Sequence, residues 1–149
     1  MAAVSESIHI DRPVSDVFAY LDDPHNHATI TPSIGDIRNV QPLDNGGKRL
    51  EYTYTMAGVG IDGELIEQVH EANERMTFEM RGRLTGEIDL QFAAEDGGTR
   101  VTYSAEYDIP GRVLSAAASP LVERYNRREL KTTLENLRSE LEDTAAVES

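Results

Sequence analysis

The chain has no cysteine and no tryptophan, only two lysines, and no long apolar run. Without cysteine there is no disulfide scaffold, no thiolate zinc site and no thiol nucleophile. No apolar stretch approaches the roughly 20 residues that a helix needs to span a bilayer, so no integral membrane segment is expected. The opening MAAVSES carries neither a basic residue nor an apolar run. A secretory leader is therefore not expected there, and the expected location is cytoplasmic. The 149 residues suit one domain, 1–149, with an ordered core over about residues 4–142. That length can bury a core without cross-links.

What the chain does have is acid. Against 14 basic residues stand 27 acidic ones, for a net charge of −13. Such a surface repels phosphate backbones, which argues against nucleic acid as a partner. Lys48 and Lys131 are the two lysines and the other cations are arginines. Acid excess with few lysines resembles proteins of halophilic microbes, a property of the solvent and not of the ligand.

Hydrophobic periodicity divides the rest. Val4 to Ile10 alternates as a strand, and Asp11-Arg12-Pro13 opens a helix whose Val14, Val17, Phe18 and Leu21 share a face. His25 to Ile30 makes a second short helical turn before Pro32. Strands then follow in series. They are Ile34–Val40, Lys48–Met56, Ile61–His70, and runs carrying Met76-Phe78-Met80, Leu84-Ile88-Leu90-Phe92 and Val101-Tyr103-Ala105-Tyr107. Turns are expected at Asn45-Gly46-Gly47, Gly58-Val59-Gly60 and Glu95-Asp96-Gly97-Gly98, and the last strand ends at Pro110-Gly111. After a cap at Ser119-Pro120, one long helix places Val122, Asn126, Leu130, Thr133, Leu137 and Leu141 on a single face.

Strands joined by hairpin-length turns must pair antiparallel. The fold class is therefore α+β, a curved meander closed by one long helix, with two short helices after the first strand. A single helix cannot reach every strand of a curled sheet, so space is left between the two layers. Inward positions carry Tyr52, Tyr54, Met56, Phe78, Met80, Phe92, Tyr103 and Glu67, and the helix adds Asn126 and Leu130; these are the candidate ligand-binding residues. The polar ones need partners inside, at about 1–3 kcal/mol each if left without.

The runs DRPVSDVFAYLDDPHNH, DGELIEQVHEANERMTFEM and GGTRVTYSAEYDIPG, followed by ERYNRRELKTTLENLRSEL, resemble the START-like, or SRPBCC, superfamily. The likeness is closest to its polyketide cyclase/dehydrase and lipid-transport group. It covers about Val4 to Leu141. It implies a helix-grip fold: a seven-stranded antiparallel sheet around a long C-terminal helix, enclosing a deep hydrophobic cavity. The group hosts cyclases, lipid and quinone carriers, hormone receptors and proteins with no known role, and shares no catalytic triad that could be carried over.

The expected function is thus binding or transport of a hydrophobic small molecule such as a lipid, isoprenoid, quinone or polyketide. The alternatives are a metal-free cyclase or dehydratase and a partner-binding module of the chaperone-activating or ribosome-associated kind. Glu67 is the candidate acid–base group, its other role being a strand residue near the sheet's end, wet or paired with an arginine such as Arg81 or Arg83. No cofactor is expected. No metal is expected either: His25 and His27 point apart, His9 and His70 lie on outward strand phases, and no H-E-x-x-H occurs. A homodimer stays open.

Overall fold

The computed structural model describes residues 2–56, 59–83, 85–108 and 119–148. Strand β1 (Ala2–Ile10) is followed by helices α1 (Val14–Leu21) and α2 (Pro24–Ile30). Six strands come next: β2 (Ile34–Pro42), β3 (Lys48–Met56), β4 (Val59–Glu71), β5 (Arg75–Gly82), β6 (Thr85–Glu95) and β7 (Gly98–Asp108). The long helix α3 runs Ser119–Glu148. The sheet is one antiparallel layer of seven strands in the order β1-β7-β6-β5-β4-β3-β2. This is the helix-grip arrangement.

Local chemistry sets the element ends. Pro13 has extended backbone at the start of α1, and Asp16 lies in the first turn, facing the positive end of the helix. Asp23 caps α2, its side chain accepting from the His25 amide at 2.9 Å, with Pro24 at the first helical position. Between β6 and β7, Asp96 and Gly97 have φ of 47° and 79°, the pair of positive angles a two-residue hairpin turn requires. Two residues of the expected Gly58-Val59-Gly60 turn belong to β4 instead. Val59 and Gly60 already pair with Met56 and Thr55, leaving residues 57–58, which lie outside the described residues, as do Leu84 and Pro110-Gly111.

Strand β1 closes the sheet against β7 in unbroken register from Ala2↔Tyr107 to Ile10↔Thr99. A side chain on Gly98 would put its Cβ 2.3 Å from the Ile10 carbonyl oxygen, so glycine permits this close pairing. The core is continuous from α1 (Val17, Phe18, Leu21) across the inward face of the sheet to Leu134, Leu137 and Leu141 of α3. The helix packs chiefly along β1 and against α2. Arg12 ties the layers together, donating to the Leu141 carbonyl at 2.9 Å while pairing with Asp16 at 2.7 Å. Asn136 does the same for α2, donating to the Ile30 carbonyl at 3.0 Å. Among the described residues no helix is long and apolar enough to cross a membrane.

One strand departs from simple alternation. In β4, Glu67 lies opposite Phe78, but Val69 lies opposite Thr77 and His70 opposite Met76. Gln68 is therefore an inserted residue, a β-bulge, and every position after it changes face. Val69, which simple alternation from Glu67 would place inward, turns outward. His70, expected outward, points in and packs edge-on against Phe18 at 5.3 Å.

Candidate functional site: a cavity between sheet and helix, with a polar chamber beside it

The main cavity lies between the concave sheet, the α2–β2 connection and α3, and measures about 70 Å³. Its walls include Tyr52 and Tyr54 of β3, Leu65 of β4, Met80 of β5, Tyr103 of β7 and Leu130 of α3. Alternation along each strand brings them to one face, as the sequence indicates. That volume is smaller than the deep cavity the resemblance implies, and Ile34, Leu65 and Ile88 are also among its walls.

Three polar arrangements interrupt the apolar walls. Tyr52 is buried at 2 % exposure, and its hydroxyl has no hydrogen-bond partner among the described residues. Burial pushes its pKa up to about 12, so it is a donor at any ordinary pH. Its ring lies over Gly63, the residue opposite it on β4, where an added Cβ would sit 2.9 Å from the hydroxyl. On the other side Tyr103 bonds the His27 Nε2 at 3.0 Å, with the two rings edge to face at 5.7 Å. Burial lowers the His27 pKa to about 4, which leaves the imidazole neutral, and raises that of Tyr103. Third, Glu129 of α3 accepts from the Ser33 amide at 3.0 Å and from the Tyr54 hydroxyl at 3.4 Å, and Thr133 donates to Thr31 at 3.3 Å.

A second chamber of about 20 Å³ adjoins the first, sharing Ile34 and Leu65 as walls. Phe78, His27 and Glu67 face it. Glu67 is 3 % exposed; its Oε1 accepts from the Lys48 amide at 3.0 Å, and its Oε2 has no partner among the described residues. Burial raises its pKa, partly offset by His70 and Lys48. The arginine pairing does not form: Arg81 bonds Glu79 at 2.6 Å on the opposite face, and Arg83 is exposed. Lys48 instead reaches Asp22, with Nζ 2.8 Å from its carbonyl oxygen, and His70 Nε2 lies 2.9 Å from Asp22 Oδ1.

Of the residues singled out from the sequence, Tyr52, Tyr54, Met80, Tyr103 and Leu130 line the main cavity, while Glu67 and Phe78 line the smaller one. Phe92 lines neither; it meets Phe18 edge to face at 5.3 Å and fills the core beneath α1. The side chains of Met56 and Asn126 lie outside the described residues. Sequence reasoning missed His27, Glu129 and Thr31. His27 sits in a helix too short for a period to show which face is buried, and Glu129 reads as part of the charged outer face of α3.

A family model described as polyketide cyclase/dehydrase and lipid transport matches residues 1–142. The chain belongs to this family. No curated protein matches it by sequence. Among solved structures, TTHA0849 from Thermus thermophilus superposes with a TM-score of 0.81 at 18 % identity, covering 99 % of each chain. A START superfamily protein from Mycobacterium smegmatis gives 0.77 at 12 % identity, covering 97 % of this chain and 99 % of its own. The di-domain ARO/CYC StfQ of the steffimycin biosynthetic pathway gives 0.73 at 13 % identity, covering 97 % of this chain and 52 % of its own. At these identities the family member shares its fold with all three.

Proposed function

We propose that this family member binds a hydrophobic small molecule carrying a hydrogen-bond acceptor, such as the carbonyl of a quinone or polyketide, in the cavity under α3. The observation that supports this reading is the Tyr52 hydroxyl, buried in an apolar wall with no acceptor of its own. A protein does not keep such a group without cost, on the order of 1–3 kcal/mol. A carbonyl placed against it removes that cost. A cavity of about 70 Å³ accepts only a compact group, so a longer guest requires α3 to lift from the sheet. Because α3 leans chiefly on β1 and α2, its lift would leave the rest of the sheet intact.

The test is a binding series of aromatic ketones and quinones against hydrocarbons of matched shape, measured by calorimetry. Wild type should favour the carbonyl compound, and Tyr52→Phe should erase that preference, about a five- to tenfold change. The melting temperature of the variant should hold or rise, since the orphan hydroxyl is gone. If Tyr52→Phe keeps the carbonyl preference, the reading fails.

The His27–Tyr103 pair favours a second reading, a cyclase or dehydratase of the metal-free kind. A neutral imidazole bonded to a phenol in the cavity wall can pass a proton to and from a bound carbonyl compound. Turnover of a poly-carbonyl substrate lost in both His27→Gln and Tyr103→Phe, with ligand affinity retained, would support it. Unchanged turnover in either variant would end it.

A further inference from the structure

We infer that Asp22, Glu67 and His70 form a site for a divalent first-row transition-metal ion, distinct from the cavity under α3. Each offers one ligand atom, and these atoms all lie within 4.8 Å of one another. Around one ion with bonds of about 2.0–2.2 Å, ligand atoms stand about 3–4 Å apart, so shifts of under an ångström would close the set. The residues come from two parts of the chain. Asp22 follows α1, whereas Glu67 and His70 flank the bulge in β4. An unbroken strand would put residues 67 and 70 on opposite faces. The inserted Gln68 puts both on the inner one, which is the kind of re-aiming that bulges provide at sites.

Glu67 supplies the independent sign of a missing guest. Its side chain is 3 % exposed and its Oε1 is held by the Lys48 amide, yet Oε2 is buried with no donor. Gly47 makes room for this carboxylate: a Cβ there would lie 2.7 Å from the Glu67 carboxyl carbon. The His70 ring is fixed edge-on by Phe18. A cation already stands at the edge of the cluster, the Lys48 ammonium, 3.3 Å from Asp22 Oδ1. The Lys48 side chain is 29 % exposed, so it has a path outward when an ion arrives. One imidazole with two carboxylates suits manganese, iron, cobalt or zinc; magnesium, which favours oxygen ligands and its own waters, is disfavoured.

The test uses the full chain after chelator treatment, in 1 M NaCl to screen the acidic surface. Co²⁺ titration followed by visible absorption, and Zn²⁺ by calorimetry, should each give one site per chain that millimolar Mg²⁺ leaves filled. His70→Ala and Glu67→Gln should each weaken binding at least tenfold. Lys48→Met should tighten it about tenfold, because the competing charge is removed. Multiple weak sites emptied by Mg²⁺ would overturn the inference. So would wild-type affinity in a folded His70→Ala or Glu67→Gln protein. Should those variants fail to fold, Lys48→Met decides alone: tighter binding supports the site, and equal or weaker binding refutes it.

Discussion

His27 gives the structure a defined response to acid. In the unfolded chain its imidazole takes a proton near pH 6.5; in the folded one, burial lowers that value to about 4. The sign follows from proton counts. Below pH 6.5 the unfolded state binds a proton that the native state refuses, so stability falls as pH falls, and the loss is complete once pH drops below about 4. A shift of about 2.5 units corresponds to about 3 kcal/mol, a large share of the stability of a domain this size. Between pH 7 and 4.5 most of that, about 2.5 kcal/mol, should be lost.

Urea unfolding of wild type and His27→Gln at both pH values isolates the effect. Other groups titrate over the same interval, and neutralising carboxylates in a chain of net charge −13 relieves repulsion, but those contributions are shared and cancel in the difference. Glutamine can keep a hydrogen bond to the Tyr103 hydroxyl without carrying a proton. Wild type should lose about 2.5 kcal/mol more than the variant. Proton NMR of the native state supplies a direct check, since the His27 ring should not titrate above pH 5. A difference under about 0.5 kcal/mol, or a His27 midpoint near 6.5, would refute the argument from burial.

Two further perturbations test the packing and the surface. Gly98→Ala brings a Cβ to 2.3 Å from the Ile10 carbonyl and must force β1 away from β7, at about 1–3 kcal/mol; a melting temperature equal to wild type would mean the two strands are not so tightly apposed. With a net charge of −13, self-repulsion should be relieved by salt, so raising NaCl from 0.1 to 2 M should stabilise by about 1–2 kcal/mol, or about 3–6 °C. A melting temperature that stays flat or falls across that range would separate the acid excess from any adaptation to salt.

The element order was legible because it depends on local signals. Alternation marks β3, β5 and β7, the Asp96-Gly97 pair marks a hairpin, and steps of three and four bring Leu130, Thr133, Leu137 and Leu141 of α3 to the core. The tyrosines of β3 and β7 could be placed in the cavity wall for the same reason. Their partners could not. His27, Glu129 and Thr31 reach Tyr103, Tyr54 and Thr133 through side-chain contacts between elements distant in sequence, 76 residues in the case of His27 and Tyr103. Nothing in α2 announces that one of its two histidines is buried and the other exposed.

The bulge at Gln68 marks a different limit. A period of two holds only while each residue on one strand faces one residue on its neighbour, and a single insertion inverts the phase of everything after it. Counting from Leu65 puts Glu67 and Val69 inside and excludes His70. Pairing with β5 puts Glu67 and His70 inside and excludes Val69. The sequence of β4 is nearly symmetrical between the two outcomes, because Val69 would fill the core as well as His70 does. What tips the balance lies outside the strand. The Asp22 carboxylate accepts from the His70 ring, Phe18 packs on its edge, and Asn45 of the β2–β3 turn donates to the Glu67 and Gln68 carbonyls on either side of the insertion. The bulge is therefore held by α1 and by a turn. Asn45→Ala should loosen it, and the expected mark is faster amide exchange at Gln68 and Val69 with the rest of β4 unchanged; exchange unaltered at those two positions would mean that the strand holds the bulge by itself.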